Sequence, residues 1–124
     1  MTATHAQRKA LGDFGERVAV RFLTDRGFTV VDRNWRCSDG ELDIVAIDGA
    51  ELVVCEVKTR TSLRFGTPFE AVTDDKAHRL RRLGWRWARE HHDVASGRRV
   101  RVDVVSVMAG ARGAAEVEHR AAVV

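Results

Sequence analysis

Apolar positions recur first at helical spacing and then at strand spacing. Leu11, Phe14, Val18 and Phe22 fall three or four residues apart, which predicts a helix over about 7–26 with Gly27 as its C-terminal cap. Residues 28–31 read as a short strand, followed by a polar stretch through Asn34, Arg36 and Asp39. Residues 41–47 alternate as a second strand, Asp48-Gly49 signals a hairpin turn, and 52–58 form a strong third strand. The span 59–72, with Gly66 and Pro68, is expected to be a loop. A second helix is expected from an N-cap at Thr73, with Asp74 and Asp75 in its first turn, to about His91. Residues 100–107 are β-branched and strand-like, and 116–123 suggest a last edge strand. The order predicts an α/β fold, a small mixed sheet flanked by helices.

The hairpin brings candidate chemistry into register. Alternation along 52–58 puts Leu52, Val54, Glu56 and Lys58 on one face, so two charged residues end a face that is otherwise apolar. With a two-residue loop at Asp48-Gly49, Asp43 lies opposite Val54 and diagonal to Glu56. With a four-residue loop it lies directly opposite Glu56. Either way the carboxylates share a face, roughly 5–8 Å apart at Cβ; a three-residue loop would separate them. Two acidic oxygens at that spacing, with a backbone carbonyl nearby, suit Mg²⁺ (or Mn²⁺) that keeps several waters. Lys58 can orient such a water or contact a phosphate. The competing account is a solvated Glu56–Lys58 pair with Asp43 an ordinary surface acid.

The helices add further candidates. Glu16 sits beside Gly12, Ala19 and Leu23 at the margin of the apolar arc, where it can face the sheet as a third acid. Lys76 shares a helical line with Leu80, Leu83 and Trp87, so it either snorkels or meets an anion. The opposite face carries His78, Arg79, Arg82, Arg86 and Arg89, a stripe that can track a phosphate backbone. Arg60 and Arg64 follow Lys58 closely and flank the proposed chemistry.

Composition narrows the class without naming the ligand. The chain has 124 residues, 44% hydrophobic and 31% charged, which fits one globular domain spanning 1–124 with a mobile tail at 1–6. No stretch nears the ~18 apolar residues of a membrane span, and the N-terminus lacks a signal-peptide core, so a cytoplasmic protein is expected. A formal charge of +3 is compatible with nucleic acid but does not require it. Cys37 and Cys55 are too far apart for a C-x-x-C motif and are expected to be reduced and structural.

Taken together, Gly15-Glu16, Gly40-Glu41-Leu42-Asp43-Ile44-Val45, Glu56-Val57-Lys58-Thr59-Arg60, Arg64-Phe65-Gly66 and Lys76 through Arg79-Leu80 resemble the uncharacterised bacterial family often called YraN-like. That family is similar in turn to the archaeal Holliday-junction resolvases and the PD-(D/E)xK nuclease superfamily. Leu42 stands where the superfamily's name puts proline. The resemblance implies a restriction-endonuclease-like core, with Asp43, Glu56 and the Val57 carbonyl as metal ligands. It further implies Lys58 as catalytic lysine and Glu16 as the helix-borne acid. Arg60, Arg64, Lys76 and Arg79 are then the expected nucleic-acid contacts. The expected activity is that of a Mg²⁺-dependent endonuclease on DNA, branched or damaged, ahead of RNA, with a homodimer as in junction-cutting relatives. The alternatives are a nucleic-acid-binding module with a non-catalytic metal site, or a protein-interaction scaffold on the same fold.

Overall fold

The computed structural model describes residues 4–62, 68–110 and 114–124. Its elements run α1 (His5–Asp25), β1 (Thr29–Cys37), β2 (Gly40–Asp48), β3 (Glu51–Arg60), a short 3-10 turn (Pro68–Ala71), α2 (Asp74–Glu90), α3 (His92–Ala95), β4 (Arg99–Met108) and β5 (Glu116–Arg120). The strands form one sheet in the order β1-β2-β3-β4-β5, antiparallel except for the β3–β4 pair, whose parallel arrangement requires the crossover that α2 supplies. The expected α/β architecture, a mixed sheet flanked by helices, is what forms.

Each helix is set by local chemistry. Thr4 caps α1, its hydroxyl accepting from Gln7 N–H while the Gln7 side chain accepts from Thr4 N–H. Residues 5 and 6 of the expected tail at 1–6 are helical, and residues 1–3 lie outside the described set. At the other end Gly27 takes φ +90°, so that its N–H reaches Thr24 O and Phe28 N–H reaches Leu23 O. Only a left-handed residue closes both bonds. Thr73 caps α2 through Lys76 N–H at 3.2 Å, with Asp74 and Asp75 in the first turn.

The sheet separates two apolar layers. Leu80, Leu83 and Trp87 of α2 pack on Leu52, Val54, Val100 and Val102. Ala19 and Leu23 of α1 pack on Val53, Cys55, Val105 and Val107 from the other side. Even and odd positions of β3 and β4 thus serve opposite helices, as strand alternation requires. On α1 the buried line is Gly15, Glu16, Ala19 and Leu23, whereas Phe14 of the expected apolar line stands exposed. The small-residue side wins because it lets the helix approach β3. A Cβ on Gly15 would lie 1.8 Å from Thr59 Oγ1.

Three expected boundaries are corrected. β1 does not stop at Val31 but continues to Cys37, its polar residues being the solvent row of an edge strand with a register shift between Val30 and Asp32. β3 reaches Arg60, held by the parallel ladder to Met108. The β2–β3 turn is Gly49-Ala50, one residue later than expected, since Asp48 pairs with Glu51. Among the described residues, no helix is long and apolar enough to cross a membrane. Cys37 and Cys55 are free thiols.

Candidate active site

The corrected turn sets the register at Ile44↔Cys55, which carries Asp43 opposite Glu56. This is the placement that sequence analysis tied to a four-residue loop, reached with a two-residue one. The β2–β3 ladder ends there. Leu42 and Val45 belong to the α2-side core, yet Ile44 between them belongs to the α1-side core. Alternation along β2 therefore breaks at Asp43. Where β2 leaves its partner, the Asp43 carboxylate replaces the missing backbone acceptor, and Val57 N–H donates to its Oδ2 at 2.9 Å.

Each of the two acids bears on the other's proton affinity. Burial, then the neighbouring Glu56 carboxyl, push the Asp43 pKa up to about 8, while the Val57 N–H works the other way. Burial acts to raise Glu56 as well, but the bond to Asp43 and the Lys76 ammonium outweigh it and hold Glu56 below its ordinary value. Lys76 Nζ lies 3.0 Å from Glu56 Oε2. The buried-stripe lysine has thus met an anion, and the anion is this carboxylate. Lys58 is the next residue on the Glu56 face. Burial, followed by the neighbouring Lys76, lowers the Lys58 proton affinity, whereas at Lys76 burial is outweighed by Lys58 and by the Glu56 carboxylate, which keep it raised.

Glu16 enters from the other helix. It is 8% exposed, and its Oε1 accepts from Arg33 Nε at 3.1 Å and Asn34 Nδ2 at 3.0 Å. Its charge adds to the upward push on Asp43. Asn34 stands across β1–β2 from Asp43, between the Arg33↔Ile44 and Trp35↔Leu42 pairs, and adopts a left-handed φ of 52°. Sequence reading missed Arg33 and Asn34, since a polar stretch assigned to no element offered no face. The β-bulge and the left-handed asparagine were the only available signals, and neither shows in a period-two pattern.

Asp43, Val57, Lys58, Thr59 and Arg60 of the sheet and Arg8, Lys9, Gly12 and Glu16 of α1 line an open cleft of about 670 Å³; Glu56 and Lys76 are not among its lining residues. Arg60 is thus brought to the chemistry. Arg79 is not; it lines a separate concave surface on α2. Arg64 falls outside the described residues.

Among the described residues, no group of three or more His, Cys, Asp or Glu side chains is gathered to hold a metal. What the fold builds is a two-carboxylate pair. Two hard oxygen donors side by side, one of them raised well above its normal pKa by burial and by its neighbour, are chemically suited to a divalent cation that keeps several waters. The acids therefore fit Mg²⁺ or Mn²⁺, with the Lys76 ammonium as the protein's own competing cation.

Comparison with known proteins gives one family. The model of the uncharacterised protein family UPF0102 matches residues 15–107. A UPF0102 protein of Beutenbergia cavernae is 59% identical over 112 residues, covering 90% of this chain and 93% of the relative. One from Kineococcus radiotolerans is 57% identical over 120 residues, 96% and 98% of the two chains. A Nocardioides relative is 49% identical over 118 residues, 95% and 94%.

Proposed function

The chain belongs to the uncharacterised protein family UPF0102, the YraN-like family its motifs resemble, and on the geometry of its cleft we propose that it is a divalent-cation-dependent endonuclease acting on DNA. The reading extends to membership of the PD-(D/E)xK nuclease superfamily, with branched or damaged DNA as substrate. One observation carries it. Asp43 and Glu56 face each other where the β2–β3 ladder ends, and burial together with the neighbouring carboxyl raises the Asp43 pKa to about 8, so that ionising the pair costs stability. Such strain persists where a site uses it.

In this reading Asp43 and Glu56 hold the cation, with the Val57 carbonyl as third donor. A bound Mg²⁺ or Mn²⁺ would supply a water of lowered pKa and positive charge against the scissile phosphate. The protein supplies the rest. Val57 N–H fixes the Asp43 carboxylate by its Oδ2. Lys76 keeps Glu56 ionised and in place. Lys58, with its proton held less tightly than an ordinary lysine, orients the attacking water or accepts its proton. Glu16, clamped by Arg33 and Asn34, adds negative potential behind Asp43. Arg60 meets the DNA backbone at the cleft mouth.

The test is incubation with supercoiled, single-stranded and four-way-junction DNA in Mg²⁺ or Mn²⁺. Cleavage is expected in the wild type and absent in Asp43→Asn and Glu56→Gln. Cleavage that persists in both variants would refute the proposal. A second reading, a nucleic-acid-binding module with a non-catalytic acidic site, draws on the Lys76–Glu56 pair, because a cation of the protein already sits on one proposed ligand. Salt-dependent binding without cleavage would favour it.

A further inference from the structure

Away from the carboxylate cleft, α2 presents a surface that folding alone does not explain. Arg79, Arg82, Arg86 and Arg89 recur at steps of three, four and three, a line about 15 Å long on one side of the helix. Trp85 stands among them, 49% exposed. With Asp39 and Leu83 they wall a concave surface of about 520 Å³. Trp87, two residues on, shows what a structural indole does in this helix. It is buried, and its Nε1 donates to Asp32 at 2.8 Å. Trp85 has no ring or hydrogen-bond partner among the described residues.

The guanidiniums divide in the same way. Arg86 is held in the fold, by Asp39 at 3.0 Å and Glu90 at 3.2 Å. Arg79, Arg82 and Arg89 have no ion-pair or hydrogen-bond partner among the described residues. Arg82 and Arg89 lie three residues before and four after Trp85, so they flank the indole on the helix surface. Unpaired cations in a concave site call for an anion. A second copy of this chain, meeting it about a two-fold axis, would bring like charges together. The exposed indole calls for a flat apolar face between the charges. Nucleic acid offers both only where its bases are unstacked, since a duplex keeps those faces inside.

We propose that the Trp85–arginine face of α2 binds single-stranded nucleic acid, with an unpaired base stacked on the indole and Arg82 and Arg89 holding the flanking phosphates. That this strand belongs to the molecule cut at Asp43 and Glu56 rests on the proposed function; the binding itself does not. The substrate of the cleft would then be DNA with a single-stranded segment beside the cut.

Binding of the full chain to an end-labelled oligothymidylate of about 12 nucleotides, and to a blunt hairpin duplex, is measured by fluorescence anisotropy in chelator over a salt series. Trp85→Ala should weaken oligothymidylate binding by roughly 5- to 100-fold and leave the duplex within about two-fold, with Trp85→Phe close to wild type. Arg82→Ala with Arg89→Ala should lower the salt slope on the single strand by about 1.4. Circular dichroism confirms that the exposed substitutions leave the fold intact. Unchanged binding in Trp85→Ala, an equal loss on duplex, no wild-type binding at low salt, or equal competition by polyglutamate of the same charge would each overturn the proposal. Chelator removes cleavage from the measurement. A protein that binds through Trp85 but cuts nothing sinks the nuclease reading alone, and one that cuts but ignores Trp85 sinks this inference alone.

Discussion

Helix α1 approaches β3 closely at Gly15, one residue before Glu16, and this contact can be tested by a matched pair of substitutions. Alanine at Gly15 would put its Cβ 1.8 Å from Thr59 Oγ1 and 2.8 Å from Thr59 Cβ and Cγ2. Rotating Thr59 moves the hydroxyl but not its Cβ, so α1 must lift away from β3. Forcing a methyl into a packed contact costs about 1–3 kcal/mol, and the better helix propensity of alanine returns at most about 1. With that return in full, Gly15→Ala is expected to destabilise by up to about 2 kcal/mol. Gly12, one turn earlier on the same helix, is exposed with nothing within 4 Å of its would-be Cβ. There the propensity gain stands alone, and Gly12→Ala should stabilise by up to about 1 kcal/mol. For a chain of this size each kcal/mol moves the melting temperature roughly 3–6 °C. Thermal and urea unfolding followed by circular dichroism will give the order Gly12→Ala, wild type, Gly15→Ala. A Gly15→Ala protein melting at or above Gly12→Ala would refute the close-packing argument, and with it the account of how Glu16 is brought to the site.

The acidic pair has its own signature in pH. In chelator, folded Asp43 holds a proton that the unfolded chain releases near its ordinary value of 3.8 and the native protein keeps to about 8. Stability should be greatest at low pH on this account and fall as pH rises through that window, each unit of the gap contributing at most about 1.4 kcal/mol. Asp43→Asn should flatten the fall and raise stability at pH 8; unfolding curves showing the variant less stable there would contradict it. Lys76→Met removes the competing ammonium from Glu56, so Mn²⁺ titrated calorimetrically should bind several-fold tighter, and weaker binding would mean that Lys76 mainly orients the carboxylate. Asp103 is fully buried beneath the paired Arg101 guanidinium, His119 and the Ala122 N–H. Asp103→Ala should cost about 3–5 kcal/mol by urea unfolding, because it strands a partly buried arginine, and a change under 1 kcal/mol would count against that network. Arg60→Ala should reduce the salt slope of duplex binding by roughly one; an unchanged slope would remove Arg60 from the DNA contact.

What could be read along the chain was whatever repeats at the period of its element. The stripe of Lys76, Leu80, Leu83 and Trp87 and the alternation of β3 each declare a buried face, since a helix or strand can hide only one row of positions per layer. Capping was equally local, with Thr73 and Gly27 each acting on backbone within a few residues. The pairing of Asp43 with Glu56 was half legible, because strand parity limited the hairpin to a few registers without choosing among them.

The choice belonged to the tertiary structure. Gly49-Ala50 formed the turn in place of Asp48-Gly49, and the break in β2 turned Asp43 toward Glu56 and Val57 together. The same is true of the small-residue side of α1, buried in preference to Phe14 because close approach to Thr59 outweighs the loss of one aromatic contact. The acids, the lysines and the Glu16 clamp come from five elements spread between residues 16 and 76. Their proton affinities depend on distances across the sheet, and no periodicity along one segment carries distances between segments. Residue order determined which faces must be buried, and packing decided which charges those faces would share.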